Sequence, residues 1–435
     1  MAVDTNRTID AVWRIESPRL IAGVARLVRD VGLAEELAQD ALVAALEQWP
    51  ESGVPDNPGA WLMATAKHRA IDLIRRKERL ERKTEEIGRD LETDQYGSDA
   101  EYDAVLTSID EDINDDLLRL VFTACHPVLS TEARVALTLR LLGGLTTDEI
   151  ARAFLVPEPT VAQRIVRAKR TLAKADVPFE TPRGQERTAR LDSVLEVIYL
   201  IFNEGYSATA GADWLRPAIC EDALRLGRVL AELTPTEPEV HGLVALMEIQ
   251  ASRFAARVGP NGEPILLLDQ NRARWDRLLI GRGLSALQRA EKLGGAHGPY
   301  ALQAAIAACH ARAVIAADTD WARIAGLYAV LGTVTPSPIV ELNHAVAVSM
   351  AFGPQAGLNL IEELVEDGSL DGYHLLPSVR GDLLAKLGRF AEARTEFERA
   401  AGLTRNDRER ELLLARAHAC DTGKGAEKVA EPAAE

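Results

Sequence analysis

Apolar residues return at i, i+3 and i+4 along almost the whole chain, the spacing of one face of an α-helix, and predict an all-α protein. The clearest stretch is Thr146–Lys174, TTDEIARAFLVPEPTVAQRIVRAKRTLAK. It reads as two short helices joined by a tight turn. Thr147 is expected to cap the first, with Asp148 and Glu149 in its opening turn, where the helix dipole favours acids. Ile150, Ala151 and Phe154 make its apolar face, and Pro157 and Pro159 break the chain. Val161, Ile165, Ala168 and Leu172 line one side of the second helix, and Thr160, Gln163, Arg164, Arg167, Lys169, Arg170 and Lys174 decorate the rest. A helix-turn-helix that lays its second helix in a major groove needs this layout.

Two further amphipathic helices lie near the start. DVGLAEELAQDALVAALEQWP points Leu33, Leu37, Ala41 and Leu42 inward and leaves Glu35, Glu36, Gln39 and Asp40 outside, ending at Trp49 before Pro50. NPGAWLMATAKHRAIDLIRRKERLERK, from Asn57, buries Trp61, Leu62, Ala66 and Ile71 and carries Lys67, His68, Arg69, Arg75 and Arg76 on its other faces. An apolar underside with a basic upper side suits a DNA backbone and exposed bases; an ordinary solvated helix has the same look.

Charge sharpens this picture. The 435 residues carry a formal net charge of −16, so the basic second helix of the helix-turn-helix is a local choice on an acidic chain. Residues 84–116 concentrate acids, among them Glu85, Asp90, Asp103, Asp112 and Asp116, against almost no bases, and read as a partly disordered linker. Cys125, Cys220, Cys309 and Cys420 lie far apart and form no C-x-x-C pair; they are expected to be reduced core residues. His241, His310, His344 and His374 have no H-x-x-x-H or H-E-x-x-H spacing, so no metal site is expected. No Walker loop or G-x-S-x-G elbow occurs, no cofactor is expected, and the chain is not read as an enzyme. The start, MAVDTNRTID, has no basic n-region followed by an apolar h-region, and no uncharged apolar run is long enough for a bilayer. A cytoplasmic protein without a membrane partner is expected.

Beyond a joint at Pro178 and Pro182 a helical region runs to about Ala419. LGRFAEARTEFERAAGL places Gly388, Ala393, Phe397 and Ala400 like the second half of a tetratricopeptide-type hairpin, and ELNHAVAVSMAFGPQAGLNLIEEL looks like a degenerate partner. An ordinary antiparallel helix pair explains these segments as well, and both readings predict stacked helices. VIYLIFNEGYSA lets Asn203, Glu204 and Tyr206 emerge from an apolar run, to line a pocket or to cap a helix end.

The three N-terminal segments, in this order, resemble the sigma factors of bacterial RNA polymerase, specifically the compact extracytoplasmic-function group. AEELAQDALVAALEQW is similar to the clamp-binding helix, matching at Ala34, Glu35, Leu37, Gln39 and Trp49. GAWLMATAKHRAIDLIRRKER is similar to the segment that engages the −10 element, matching at Trp61, Leu62, Ala66, Asp72, Arg75 and Arg76, with Lys67 and His68 where the family has Arg-Asn. PTVAQRIVRAKRTL resembles the −35 reading helix, matching at Thr160, Val161, Arg164, Arg167 and Ala168, with Pro159 and Gln163 as departures. The resemblance covers roughly residues 10–175.

It implies region 2 at 1–83, an acidic linker at 84–116, region 4 at 117–178, a regulatory helical extension at 179–420 and a flexible tail at 421–435. It implies two partners, core RNA polymerase (clamp and flap) and promoter DNA, with a protein or small ligand for the extension. Glu35, Glu36, Gln39 and Asp40 would meet polymerase. Asp56, Asn57, Trp61, Lys67, His68, Arg69, Arg75 and Arg76 would hold the −10 strand, and Thr160, Gln163, Arg164, Arg167, Lys169 and Arg170 the −35 duplex. Two other classes stay open on the residues alone: a polymerase-independent helix-turn-helix regulator with a helical sensor, and an enzyme built around Asn203, Glu204 and His344.

Overall fold

The computed structural model describes residues 2–86, 113–206, 215–260 and 263–421. Among them are nineteen α-helices, two 3-10 turns and a single isolated bridge, Val258 to Pro264, so the all-α expectation holds. The chain forms two compact units, residues 1–200 and 201–435.

The first unit opens with α1 (Ala2–Val28), α2 (Val31–Ser52) and α3 (Pro58–Glu86). The Asp30 carboxylate accepts from the Leu33 N–H at 2.9 Å and starts α2. Ala34, Ala38, Ala41 and Ala45 are buried along α2, and such small residues let helices approach closely. Trp49 closes this core, 1% exposed, and meets Trp61 of α3 edge-on at 5.3 Å between ring centroids.

Four helices follow: α4 (Ile113–Ala124), α5 (Thr131–Leu141), α6 (Thr147–Phe154) and α7 (Glu158–Lys174). The cap of α6 is Thr146, one residue before the expected Thr147. Its hydroxyl accepts from Glu149 N–H at 3.1 Å while the Glu149 carboxylate accepts from Thr146 N–H at 2.8 Å. That reciprocal pair needs an acid three residues after the cap, which Thr146 has and Thr147 lacks. Leu155 turns the chain with φ 50°, and Pro157 and Pro159 open α7. Val161, Ile165, Ala168 and Leu172 are all buried, as their spacing predicts.

The next helix, α8 (Gly184–Tyr206), contains the boundary between the units. Its first part packs back on α4, α5 and the turn between them. Arg190 donates to Phe122 O at 2.9 Å, the Ser193 hydroxyl to Cys125 O at 2.7 Å, and Arg134 to Glu196 at 3.1 Å.

Most of the acidic segment expected as a linker, residues 87–112, lies outside the described residues, as does the expected tail beyond 421. Residues 113–116 belong to α4 instead, and the buried Asp116 pairs with Arg119 and, at 3.6 Å, with Arg26 of α1.

The second unit is a succession of antiparallel neighbours: α9 (Pro217–Leu233), α10 (Pro238–Ala251), a single turn α11 (Phe254–Arg257), α12 (Arg277–Lys292), α13 (Pro299–Arg312), α14 (Trp321–Val334), α15 (Pro338–Phe352), α16 (Pro354–Asp367), α17 (Leu375–Lys386), α18 (Phe390–Leu403) and α19 (Asp407–Asp421). Five of these open on proline, whose missing N–H costs nothing in a first turn. The two repeat-like segments form the hairpins α15–α16 and α17–α18. A Cβ on Gly357 would meet Ala345 O at 2.7 Å, so α15 and α16 approach to a distance only glycine allows there. Phe397, 2% exposed, fills the second hairpin.

Candidate polymerase and nucleic-acid interface

Three helices carry the expected site residues, and the fold treats them unequally. On α7, Thr160, Gln163, Arg167 and Arg170 are exposed and Arg164 is half-buried. Steps of three and four residues put them on one stripe, opposite the buried Val161–Leu172 face.

Lys169 lies off this stripe. Its ammonium pairs with Glu35 of α2, whose side chain is 3% exposed. Glu35 Oε1 also accepts from Arg140 Nε of α5 at 2.6 Å and from Gln39 Nε2 at 2.7 Å. The expectation that Glu35 and Gln39 stand free outside α2 is therefore corrected for this conformation. The helix turns Glu35 inward because two cations from the helix-turn-helix half meet it there, and a buried carboxylate needs such partners. A second link joins Arg14 of α1 to Glu149 of α6. Burial raises the Glu149 carboxyl, but the Thr146 N–H and the Arg14 charge outweigh it and hold the group below the usual range.

What remains outside on α2 is a stripe of Glu36, Asp40, Val43 and Glu47, with Leu46 beside it. Val43 and Leu46 are 50% and 41% exposed, large apolar side chains on an acidic surface. Sequence reasoning missed them because apolar residues on an amphipathic helix are assigned to the core by default. For Val43 the available signal was its offset of three residues from Asp40 and seven from Glu36.

On α3 and the turn before it, Asp56, Asn57, His68 and Arg76 are exposed, and Trp61, Arg69 and Arg75 are half-buried. Asn57 Oδ1 accepts from Ala60 N–H at 3.1 Å and so starts α3. Arg69 lies 3.3 Å from Asp40, tying α3 to α2. Lys67, expected on the basic upper side, is 6% exposed. It is one turn from Met63 and Ile71 in the buried face, and a lysine stem is apolar enough to lie there.

In the second unit the polar end of VIYLIFNEGYSA is locally engaged. Glu204 pairs with Arg216 at 2.7 Å, and Gly205 O accepts from Arg216 N–H at 2.8 Å. Among the described residues no hydrogen bond or ion pair joins His344 to Asn203 or Glu204, and no group of His, Cys, Asp and Glu is arranged to hold a metal ion. No helix of the described residues is long and apolar enough to cross a membrane.

Two segments of the first unit correspond to known domains. The model of Sigma-70 region 2 matches residues 13–80 and that of Sigma-70, region 4 matches residues 119–172, the two conserved modules of an RNA polymerase sigma factor. Residues 190–291 match a family of unknown function, DUF6596. The chain is 30% identical over 161 residues to the ECF RNA polymerase sigma factor SigK of Mycobacterium ulcerans, covering 35% of this chain and 78% of that protein. It is 24% identical over 201 residues to the probable ECF RNA polymerase sigma factor SigI of Mycobacterium tuberculosis, covering 44% and 67%. Along 92% of both chains it is 43% identical to an uncharacterized protein of Rhizobium meliloti. No solved structure matches. The chain belongs to the ECF RNA polymerase sigma factors and carries a large helical extension after region 4. Membership implies binding to core polymerase and promoter DNA, and the family is not a class of enzymes.

Proposed function

We propose that the chain directs core RNA polymerase to promoters read at two places and that its extension regulates this in cis. The stripe Thr160, Gln163, Arg164, Arg167 and Arg170 reads and clamps the −35 duplex. The α3 surface of His68, Arg69, Arg75 and Arg76, with Lys67, Trp61 and the Asp56–Asn57 turn, holds the displaced strand at −10. Melting is driven by binding energy, with no catalytic residue. The outer face of α2, Glu36 and Asp40 with Val43 and Leu46, docks on the polymerase clamp, its acids choosing a basic partner and its apolar groups adding desolvated area.

The pairing of Glu35 with Lys169 and Arg140 is the observation that carries this reading furthest. It joins an element that meets polymerase to one that meets DNA, so the first unit is closed. The two promoter elements lie about 25 base pairs apart by name, or roughly 85 Å of duplex at 3.4 Å per pair. A compact unit of this size has a radius of gyration of about 16 Å. It cannot touch both elements at once while closed. Polymerase, by taking the α2 surface and Glu35, would release Lys169 to the −35 phosphates.

Co-purification with core polymerase and run-off transcription test the reading. Promoter DNA bound tightly by the chain alone would favour a polymerase-independent regulator. For the extension, the informative truncation is after Leu200, because cutting at Lys174 would strip Arg190 and Ser193 from region 4. Equal transcription and equal response to inducing conditions by residues 1–200 and by the full chain would rule out regulation in cis.

A further inference from the structure

The second unit holds a cluster of guanidinium groups that its function as a stack of helices does not require. Tyr206, at the end of α8, stacks on Phe202 at 5.5 Å and lies against Phe254 at 5.9 Å. Arg257 sits over its ring, 3.6 Å from the centroid. Arg253 donates to the Tyr206 hydroxyl and lies between two rings, 5.6 Å from the centroid of Tyr206 and 5.8 Å from that of Trp275. Arg272 covers Trp275 at 5.1 Å.

These arginines are not equivalent. Arg272 is consumed by structure, donating to His310 O at 2.9 Å, Ala313 O at 3.0 Å and Thr319 Oγ1 at 2.9 Å. Among the described residues the Arg253 guanidinium donates one hydrogen bond, to the Tyr206 hydroxyl. Its Nε is buried with no partner, and so is Trp275 Nε1 nearby, on a side chain 3% exposed. Glu204 pairs with Arg216, and Asp276 accepts from the first N–H groups of α12 at 2.8 and 3.1 Å. Asp318 adds a distant favourable charge to Arg272 only. Burial and the Arg253 charge depress both Arg257 and Arg272. The rings beside Arg253 soften the cost of its partial desolvation but do not neutralise its charge. Arg253 is only half-buried, so the cluster is open to solvent at that side chain.

We propose that Arg253, with Trp275 Nε1–H as a second donor, is the binding site for a small oxyanion, the carboxylate or phosphate group of a ligand of the extension. Arg257 and Arg272 supply the positive field, and Tyr206 orients the Arg253 fork. A planar guanidinium with unused donors matches two oxygens of such a group. The site deepens the reading of the extension as a receiver of a ligand. Its test needs no polymerase, so its failure would leave the promoter reading standing.

The experiment is calorimetric titration of the full chain with inorganic phosphate and, separately, with acetate, at constant ionic strength in chloride. Saturable binding of at least one is expected, and the stronger arm tells phosphate from carboxylate. Arg253→Met should weaken it by about tenfold or more, as loss of a charge-assisted fork requires. Trp275→Phe, which keeps an aromatic ring and removes the N–H, should weaken it less, and the exposed Arg312→Met should not change it. Circular dichroism checks that each variant folds, and Arg253→Lys replaces the methionine variant if that one does not. No saturable binding of either anion to the wild type, or equal binding by folded Arg253 variants, overturns the proposal.

Discussion

Glu35 Oε1 accepts a 2.6 Å hydrogen bond from Arg140 Nε, joining α2 to α5 across 105 residues of chain. The carboxylate is nearly sealed from water, and Lys169 completes its neutralisation. Glu35→Gln keeps the shape and removes the charge, leaving two cations facing an amide. About 1–3 kcal/mol of the closed arrangement should be lost. Small-angle scattering of the free variant should report a larger radius of gyration, and unchanged dimensions with an unchanged melting temperature would contradict the closed pairing.

Arg167 and Arg170 stand on the exposed stripe of α7 and have different expected roles. If Arg167 reads a guanine, Arg167→Ala in the holoenzyme should lose about 1–3 kcal/mol of promoter discrimination. If Arg170 meets a phosphate, Arg170→Ala should weaken all promoters alike and lower the salt slope by about one. Binding measured against salt on native and −35-scrambled promoters separates the two. Equal effects on scrambled DNA would remove Arg167 from base reading.

Trp49 is the largest side chain sealed in region 2, and its contact with Trp61 fixes α3 against α2. Trp49→Ala should destabilise the first unit by about 3–5 kcal/mol through the cavity it leaves. Urea unfolding followed by helix content measures this, and a loss under about 1 kcal/mol would mean that α2 and α3 are held chiefly by other contacts.

His310 shows how the second unit should answer acid. Burial, with Arg253 and Arg272 adding repulsion, pushes its imidazole down to about 3. The unfolded chain takes up this proton near pH 6.5, whereas the folded chain resists until far lower. The contribution is therefore fully present above pH 6.5 and falls as pH drops towards 3, by about 1.4 kcal/mol per pH unit. His310→Gln should flatten the stability profile between pH 6 and 4, whatever it does to absolute stability. An equally steep profile in the variant would show that other groups dominate.

Local patterns made most of the helices legible. The buried face of α7 follows from Val161, Ile165, Ala168 and Leu172 alone, because a helix of seventeen residues repeats its own period. The fate of Glu35 was not legible. Its neighbours in sequence place it beside Glu36 on an acidic face, and only Arg140 and Lys169, from distant parts of the chain, turn it inward. The cap at Thr146 was missed by one residue because two threonines adjoin and only the spacing to Glu149 separates them. Asp116 looked like the end of an acidic run, and Arg26 and Arg119 make it part of a folded helix.

The four cysteines are all buried. Burial pushes each thiol up, Cys125 to about 11 and Cys220, Cys309 and Cys420 above their ordinary range. At pH 7 Cys125 is then a thiolate in only about one molecule in ten thousand, and thiolate is the form that attacks peroxides and disulfides. An oxidant outside the folded chain finds no thiol ready to react among these four. Purification without reductant should leave all four thiols reduced, as thiol titration of the unfolded chain would show.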